Sequence, residues 1–364
     1  SQGKEMYAQT VLVAHLYLNH LRNPVHDSID SMMHAYELGM ETGDIKNAAF
    51  AINCYVELYF MCGLPLPHIL LDLSRFRVEL VNYRQIVALN LIKIKEQTML
   101  NIAGESRNPT NLNGRIMHGE RMWKQAQKKK HLMVCQGILL SRTFLSYLFN
   151  DFTSAVRWAE ELEDVFNKSE GPSFLLAQTF FFLGLSFVAA WKGKKRKRSH
   201  RVKAKVYINK LRAWFKKGDG NVHHQLLILI AERQSILNGS KKLDATKQAY
   251  DEAITAAVRV GFNSYAAIAC ERAGEFFMNH GDDSARGEDY IARSYELYQE
   301  WGALGKTRAM SKKYCFLEEA SSLTDSRNSS KVGRFGRERY RKTVSEQHKV
   351  ASFVEHFADG GQRS

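Results

Sequence analysis

Residues Leu243–Lys306 read LDATKQAYDEAITAAVRVGFNSYAAIACERAGEFFMNHGDDSARGEDYIARSYELYQEWGALGK. Tyr250, Ala253, Ile254 and Ala257 stand at i, i+3, i+4 and i+7, and Ser294, Leu297, Tyr298 and Trp301 continue the habit on a later segment. Each set lays one apolar stripe on a 3.6-residue period, which is the signature of an amphipathic helix. Gly261, Gly281–Asp283 and Gly302 interrupt the stretch. Glycine takes the left-handed conformation that ends a helix, and Asp or Ser caps the next one. Turns this short force consecutive helices to lie antiparallel. Gly274 is expected to let two helices approach closely, with Phe277 filling the seam beside it.

The same grammar runs outward through the chain. Ala155, Ala159, Leu162 and Phe166 form an equivalent stripe. Breakers near Asn23-Pro24, Gly43-Asp44, Gly63–Pro67, Gly104–Gly114, Asn150-Asp151, Gly171-Pro172, Gly218–Gly220 and Asn238-Gly239 complete a division into about fourteen helices. Gly43-Asp44-Ile45-Lys46-Asn47-Ala48 and Asn150-Asp151-Phe152-Thr153-Ser154-Ala155 share one turn signature, with Asn replacing Gly in the second. Gly239 and Gly281 open looser versions 42 residues apart. One helix pair per roughly 34–45 residues is the period of TPR- and HEAT-like arrays. Gly274, Phe277 and Gly281 match the tetratricopeptide order of small residue, aromatic and turn glycine. No alternating β-branched run appears between turn signals, so no strand is expected. The expected fold is all-α: a TPR-like solenoid of antiparallel helix hairpins wound into a superhelix. It spans residues 1–322, with a basic insert at 192–205 and a flexible basic tail at 323–364.

Composition agrees with a packed protein. Of 364 residues, 45% are hydrophobic and 25% charged, as in ordinary globular chains. None of the five prolines follows Pro172. The net charge of +14 is unevenly placed. Residues 192–205 (KGKKRKRSHRVKAK) hold nine Lys/Arg and no acid, and 324–364 hold nine Lys/Arg against five acids. The rest is nearly neutral, which excludes a uniformly basic globule that wraps nucleic acid. Cys54, Cys62, Cys135, Cys270 and Cys315 are odd in number and widely spaced, and read as reduced, buried thiols of an intracellular protein. The chain has no initiator Met, which suggests a segment of something larger. Ser1–Lys4 leads directly into amphipathic sequence, with no signal-peptide pattern.

Two stretches carry a specific resemblance. One is Asn23–Leu66 (NPVHDSIDSMMHAYELGMETGDIKNAAFAINCYVELYFMCGLPL). The other runs from Ala249-Tyr250-Asp251-Glu252-Ala253-Ile254 through Val260-Gly261-Phe262 to Trp301-Gly302-Ala303-Leu304-Gly305-Lys306. Leu211-Arg212-Ala213-Trp214 and Gly220-Asn221-Val222 fit the middle. Over roughly residues 20–310 the chain resembles the TPR-like helical region of giant signalling proteins. These join a serine/threonine kinase, an AAA/STAND-type ATPase, the helical array, a GAF domain and often a histidine kinase. The resemblance implies a parent that transduces signals with ATP, and a scaffold or sensor role for this segment. No Walker A motif and no kinase motif (GxGxxG, HRD, DFG) occurs in the chain, so no catalytic, cofactor or metal residue is assigned. Implied partners are proteins or neighbouring domains of the same parent.

The strongest candidate site is the basic run: Lys194, Lys195, Arg196, Lys197, Arg198, Arg201, Lys203 and Lys205. Self-repulsion of packed charge favours a loop for its first half. It serves as a nuclear-import address, a phosphate or nucleic-acid contact, or a dock for an acidic partner. A nucleic-acid-associated repeat protein using this run and the tail is the second functional class. Ser199 follows Arg196-Lys197-Arg198, a context that basic-directed kinases favour. The location read from this is cytoplasmic, with the run 192–205 as a route to the nucleus. Phe174–Trp191 is eighteen residues without charge followed by cations, a pattern that a membrane span would also show. The stretch barely reaches the minimum span and carries Gln178 and Thr179 near one end, so it reads as a buried helix of the array and no membrane span is expected. His223 and His224 are adjacent and point apart on a helix, so no metal cluster is expected. Glu160, Glu161, Glu163 and Asp164 read as a solvated face. Lys342–Phe357 reads as a short amphipathic helix in the tail.

Overall fold

Two kinds of helix alternate along the chain, and the difference lies in how many faces each buries. The computed structural model describes residues 7–166, 173–193, 197–280 and 284–317. The helices are α1 (Tyr7–Tyr17), α2 (Ile29–Thr42), α3 (Ile45–Met61), α4 (Leu66–Asn82) and α5 (Ile86–Ala103). Then come α6 (Gly119–Lys128), α7 (Leu132–Leu148), α8 (Phe152–Phe166), α9 (Ser173–Lys192) and α10 (Arg198–Lys216). The series ends with α11 (His223–Asn238), α12 (Leu243–Arg259), α13 (Asn263–His280), α14 (Ser284–Trp301) and α15 (Leu304–Lys313). Among the described residues there is no strand, only one isolated bridge between Asn113 and His118. The protein is all-α.

The outer kind buries one stripe. α8 buries Ala155, Ala159 and Leu162 at the predicted spacing, and α12 buries Tyr250, Ala253, Ile254 and Ala257. The inner kind buries runs of consecutive residues: Ala51–Val56 of α3, Ile94–Ile102 of α5, Ser141–Leu148 of α7 and Ser264–Gly274 of α13. Each inner helix packs along an outer one, as α2–α3, α7–α8, α9–α10, α11–α12 and α13–α14. The inner helices α3, α5, α7, α9, α11 and α13 also touch in that order. A helix surrounded on all sides is apolar all round, which is why Phe174–Trp191 shares its composition with a membrane span. It forms most of α9, and its residues 177–188 are buried against neighbouring helices. Among the described residues no helix is long and apolar enough to cross a membrane.

The shared turn signature works as read. Gly43 closes α2 at φ 78°, and Asn150 takes the same left-handed region at φ 63°. Asp44 accepts from the Asn47 amide (3.3 Å) and Asp151 from the Ser154 amide (3.0 Å), each capping the next helix. At Gly274 an added Cβ would lie 2.6 Å from the Ile291 side chain and 2.9 Å from the Gly287 carbonyl, so only glycine fits the α13–α14 seam.

One feature exceeds a nearest-neighbour stack. In a strictly linear array each hairpin touches only its neighbours. Here Phe60 of α3 packs on Trp301 of α14 (5.5 Å between ring centroids), and α15 meets α5. Asn221, before α11, donates to the carbonyls of His20 (2.6 Å) and Asn23 (3.0 Å) and accepts from the Val25 amide (3.0 Å). Helices near the start of the chain are therefore fastened to segments some 200 or more residues later.

The described residues up to Tyr314 form one compact unit. The tail helix expected at Lys342–Phe357 lies outside the described residues. Cys54, Cys62, Cys135 and Cys270 are buried free thiols, whereas Cys315 is exposed, which corrects its expected burial. The Cys270 thiol is pushed up to about 12 by burial, with Arg293 opposing and Asp251 assisting.

Candidate functional site

The basic run divides at Lys197. Lys194, Lys195 and Arg196 lie outside the described residues. Lys197 is the residue before α10 and Arg198 its first residue, so Ser199, Arg201, Lys203 and Lys205 stand on a helix. The loop expected for the first half of the run falls largely on residues outside those described, and the second half, from Arg198 onward, is helical. Neighbouring acids relieve the repulsion that favoured a loop. Lys203 pairs with Glu163 of α8, and Tyr207 donates to the same carboxylate at 2.7 Å. His200 lies 3.5 Å from Glu160. Glu160 and Glu163 therefore belong to the α8–α10 seam, a correction to the purely solvated face expected of that acidic stretch. Lys203 also lies 5.0 Å from the Phe187 ring centre, and Arg201 5.6 Å from that of Trp191.

The remaining cations face outward. Arg198, Ser199, Arg201 and Lys205 are exposed. The basic face continues past the segment marked in the sequence: Arg212 and Lys216 fall on the same side of α10 as Arg198 and Lys205. No acid occurs between Glu170 and Asp219. Sequence reading stopped the patch at Lys205 because the later cations are diluted by the buried stripe Tyr207, Ile208 and Leu211. The missed signal was the acid-free span itself.

A second set of charges is entirely internal. Glu271 and Arg272 sit mid-way along α13, both buried. The Glu271 carboxylate accepts from Lys306 Nζ (2.7 Å), Asn150 Nδ2 (3.1 Å) and the Tyr298 hydroxyl (3.2 Å). Arg272 donates to Asn150 Oδ1 (2.7 Å) and lies 3.7 Å from Glu275. Lys306 also donates to the Leu148 carbonyl. Glu275 accepts from Lys313 and from the Tyr314 hydroxyl. Burial alone would raise the Glu271 carboxyl, but Lys306 and Arg272 outweigh it and hold it below its ordinary value. The Glu275 carboxyl reaches about 2 by the same balance, burial opposing and Arg272 and Lys313 prevailing.

This network is anchored by the Trp301–Lys306 stretch. Trp301 is buried against Phe60. Gly302 turns the chain at φ 84°. Gly305 comes so close to Gly104 that a Cβ would meet its Cα at 2.6 Å and the Ile102 carbonyl at 2.7 Å. Lys306 then delivers its ammonium to Glu271. Trp-Gly-Ala-Leu-Gly-Lys is thus a lock for α15. It also shows why Asn replaces Gly at position 150: the left-handed residue must supply an amide that bridges Glu271 and Arg272.

An open groove of about 740 Å³ runs between α11 and α12. Its walls include His223, Asp244, Lys247, Asp251, Glu252 and Arg259. Lys247 and Asp251 pair at 2.6 Å, and Tyr290 donates to Asp251 at 2.6 Å. His223 stacks on Phe215 (4.3 Å) and His224 on Phe262 (4.1 Å), so the two point apart as expected. His224 is lowered to about 3 by burial, with His26 and His223 adding to the effect. Among the described residues no group of three or more His, Cys, Asp or Glu could hold a metal ion. Comparison of the sequence with family models and with curated proteins gives no match.

Proposed function

We propose that the chain is a non-catalytic, TPR-like helical-repeat scaffold. It carries protein–protein or inter-domain contacts within an ATP-dependent signalling protein whose kinase and ATPase activities reside outside it. The observation that supports this reading most is the division of labour among the charges. The buried set, Glu271, Arg272 and Lys306, with the half-buried Glu275 beside it, is mutually paired and joins three parts of the chain. Groups engaged in this way hold helices together; a general acid or base needs a substrate-facing position. The outer helices each bury one stripe and offer the opposite face to solvent, which is how stacked hairpins recognise partners. The fastening of early helices to later segments makes the array a preformed surface, so little ordering cost attends binding.

Lysine cross-linking of the protein in its native cell, mapped by mass spectrometry, tests this. Cross-links from outer-helix lysines to another polypeptide or a flanking domain are expected. Phosphotransfer or ATP hydrolysis by the purified chain, abolished by Glu271→Gln with the fold intact, would contradict it.

A further inference from the structure

The outward side of α10 carries cations and no acid. The helix has nineteen residues, and at 1.5 Å per residue it runs for about 27 Å. Arg198, Arg201, Lys205, Arg212 and Lys216 lie along one side at helical spacing. None of them has an ion-pair partner among the described residues; Arg212 donates only to the neutral Asn209 side chain at 2.7 Å. Along one edge of this stripe stand Val202, 55% exposed, and Val206, 44% exposed, one turn apart. The inner side of the same helix is committed to the fold through Tyr207, Ile208 and Leu211. The face thus combines unneutralised cations with a small apolar strip, on a rod already held in place.

We infer that α10 is the docking face for an acidic, amphipathic helix of a partner protein. Its carboxylates would pair with Arg198, Arg201, Lys205 and Arg212 while its apolar residues cover Val202 and Val206. Charge complementarity supplies the first half of the argument and the valine pair the second. A phosphate backbone would meet the cations but leave the valines against water. Stacking of bases needs a free aromatic face, and the nearest exposed ring, Phe215, is already stacked on His223. Insertion into a bilayer needs an apolar edge built from Leu, Phe or Trp, which two valines do not supply. The inference rests on the scaffold reading and names one of its partners by chemistry.

The test uses the full chain and a labelled eighteen-residue helical peptide carrying Glu with Leu at i, i+3, i+4 and i+7. A control peptide replaces each Leu by Gln at equal charge. Duplex RNA and DNA of matched length and phosphatidylserine vesicles form the other arms. The Leu peptide should bind, more tightly than the Gln control and more weakly as salt rises. Arg198→Glu/Arg201→Glu/Lys205→Glu should weaken it on the order of tenfold, and Val202→Ser/Val206→Ser several-fold, with unfolding midpoints unchanged. Equal binding of the two peptides, or preference for nucleic acid or vesicles, overturns the inference. Absence of all binding overturns it too, while cross-links from other outer helices would leave the scaffold reading standing.

Discussion

α13 and α10 both carry charge in the middle of a helix, and they use it in opposite ways. On α13 the charges are buried and each meets a counter-charge or an amide from another part of the chain. On α10 the outward cations meet water. A buried charge is tolerated only when paired, and its loss leaves a partner uncompensated at a cost of several kcal/mol. An exposed charge contributes little to folding and is free for recognition. The comparison teaches that net charge alone says nothing of role; the number of faces a helix buries decides whether its charges hold the fold or meet a partner.

The comparison breaks most readily at Lys306. Lys306→Ala leaves Glu271 buried without its main cation and should cost about 3–5 kcal/mol in urea unfolding. A loss below about 1 kcal/mol would show that the network is ornamental.

Acidification sharpens it on a neighbouring inner helix. His224 of α11 is 1% exposed and faces Phe262 and Tyr265, with His26 and His223 near enough for their charge to oppose its own. Its folded value of about 3 lies below the ordinary 6.5, so the unfolded chain binds the proton more readily. The contribution is complete above pH 6.5 and is lost as pH falls from there towards 3. Between pH 7 and 5 the protein should lose about 2 kcal/mol from this group. His224→Phe, which keeps a ring on Phe262, should flatten that slope; an unchanged slope would refute the assignment.

The fastening at Asn221 comes next. Asn221→Ala removes three hydrogen bonds to the His20–Val25 segment and should cost about 1–2 kcal/mol. Hydrogen exchange in α1 should then accelerate before that in α13. Uniform acceleration along the chain would contradict a local fastening. At the small end, Arg198→Glu/Arg201→Glu/Lys205→Glu should change stability by less than about 0.5 kcal/mol. A larger loss would mean that the outward face of α10 is part of the fold.

The helix class, the shared turn at Gly43 and Asn150, the Gly274 seam and the single buried stripes were legible because each depends on residues a few positions apart. The inner helices were only half legible: Phe174–Trp191 is apolar all round, and periodicity cannot say whether lipid or protein surrounds it. The Glu271–Lys306 pair was not legible. Its members are 35 residues apart and gain a third partner at Asn150, 121 residues from Glu271, so no local pattern links them. The basic site was seen at its dense end and missed at its periodic end. Lys203, included by composition, belongs to the α8 seam; Arg212 and Lys216, excluded by composition, belong to the face.

The most direct test of the contrast is a double-mutant cycle by urea unfolding on Glu271→Gln and Lys306→Met. Coupling of about 2–3 kcal/mol is expected for this buried pair, against less than about 1 kcal/mol for the same cycle on Glu163 and Lys203. Coupling at Glu271–Lys306 no larger than at Glu163–Lys203 would contradict the account.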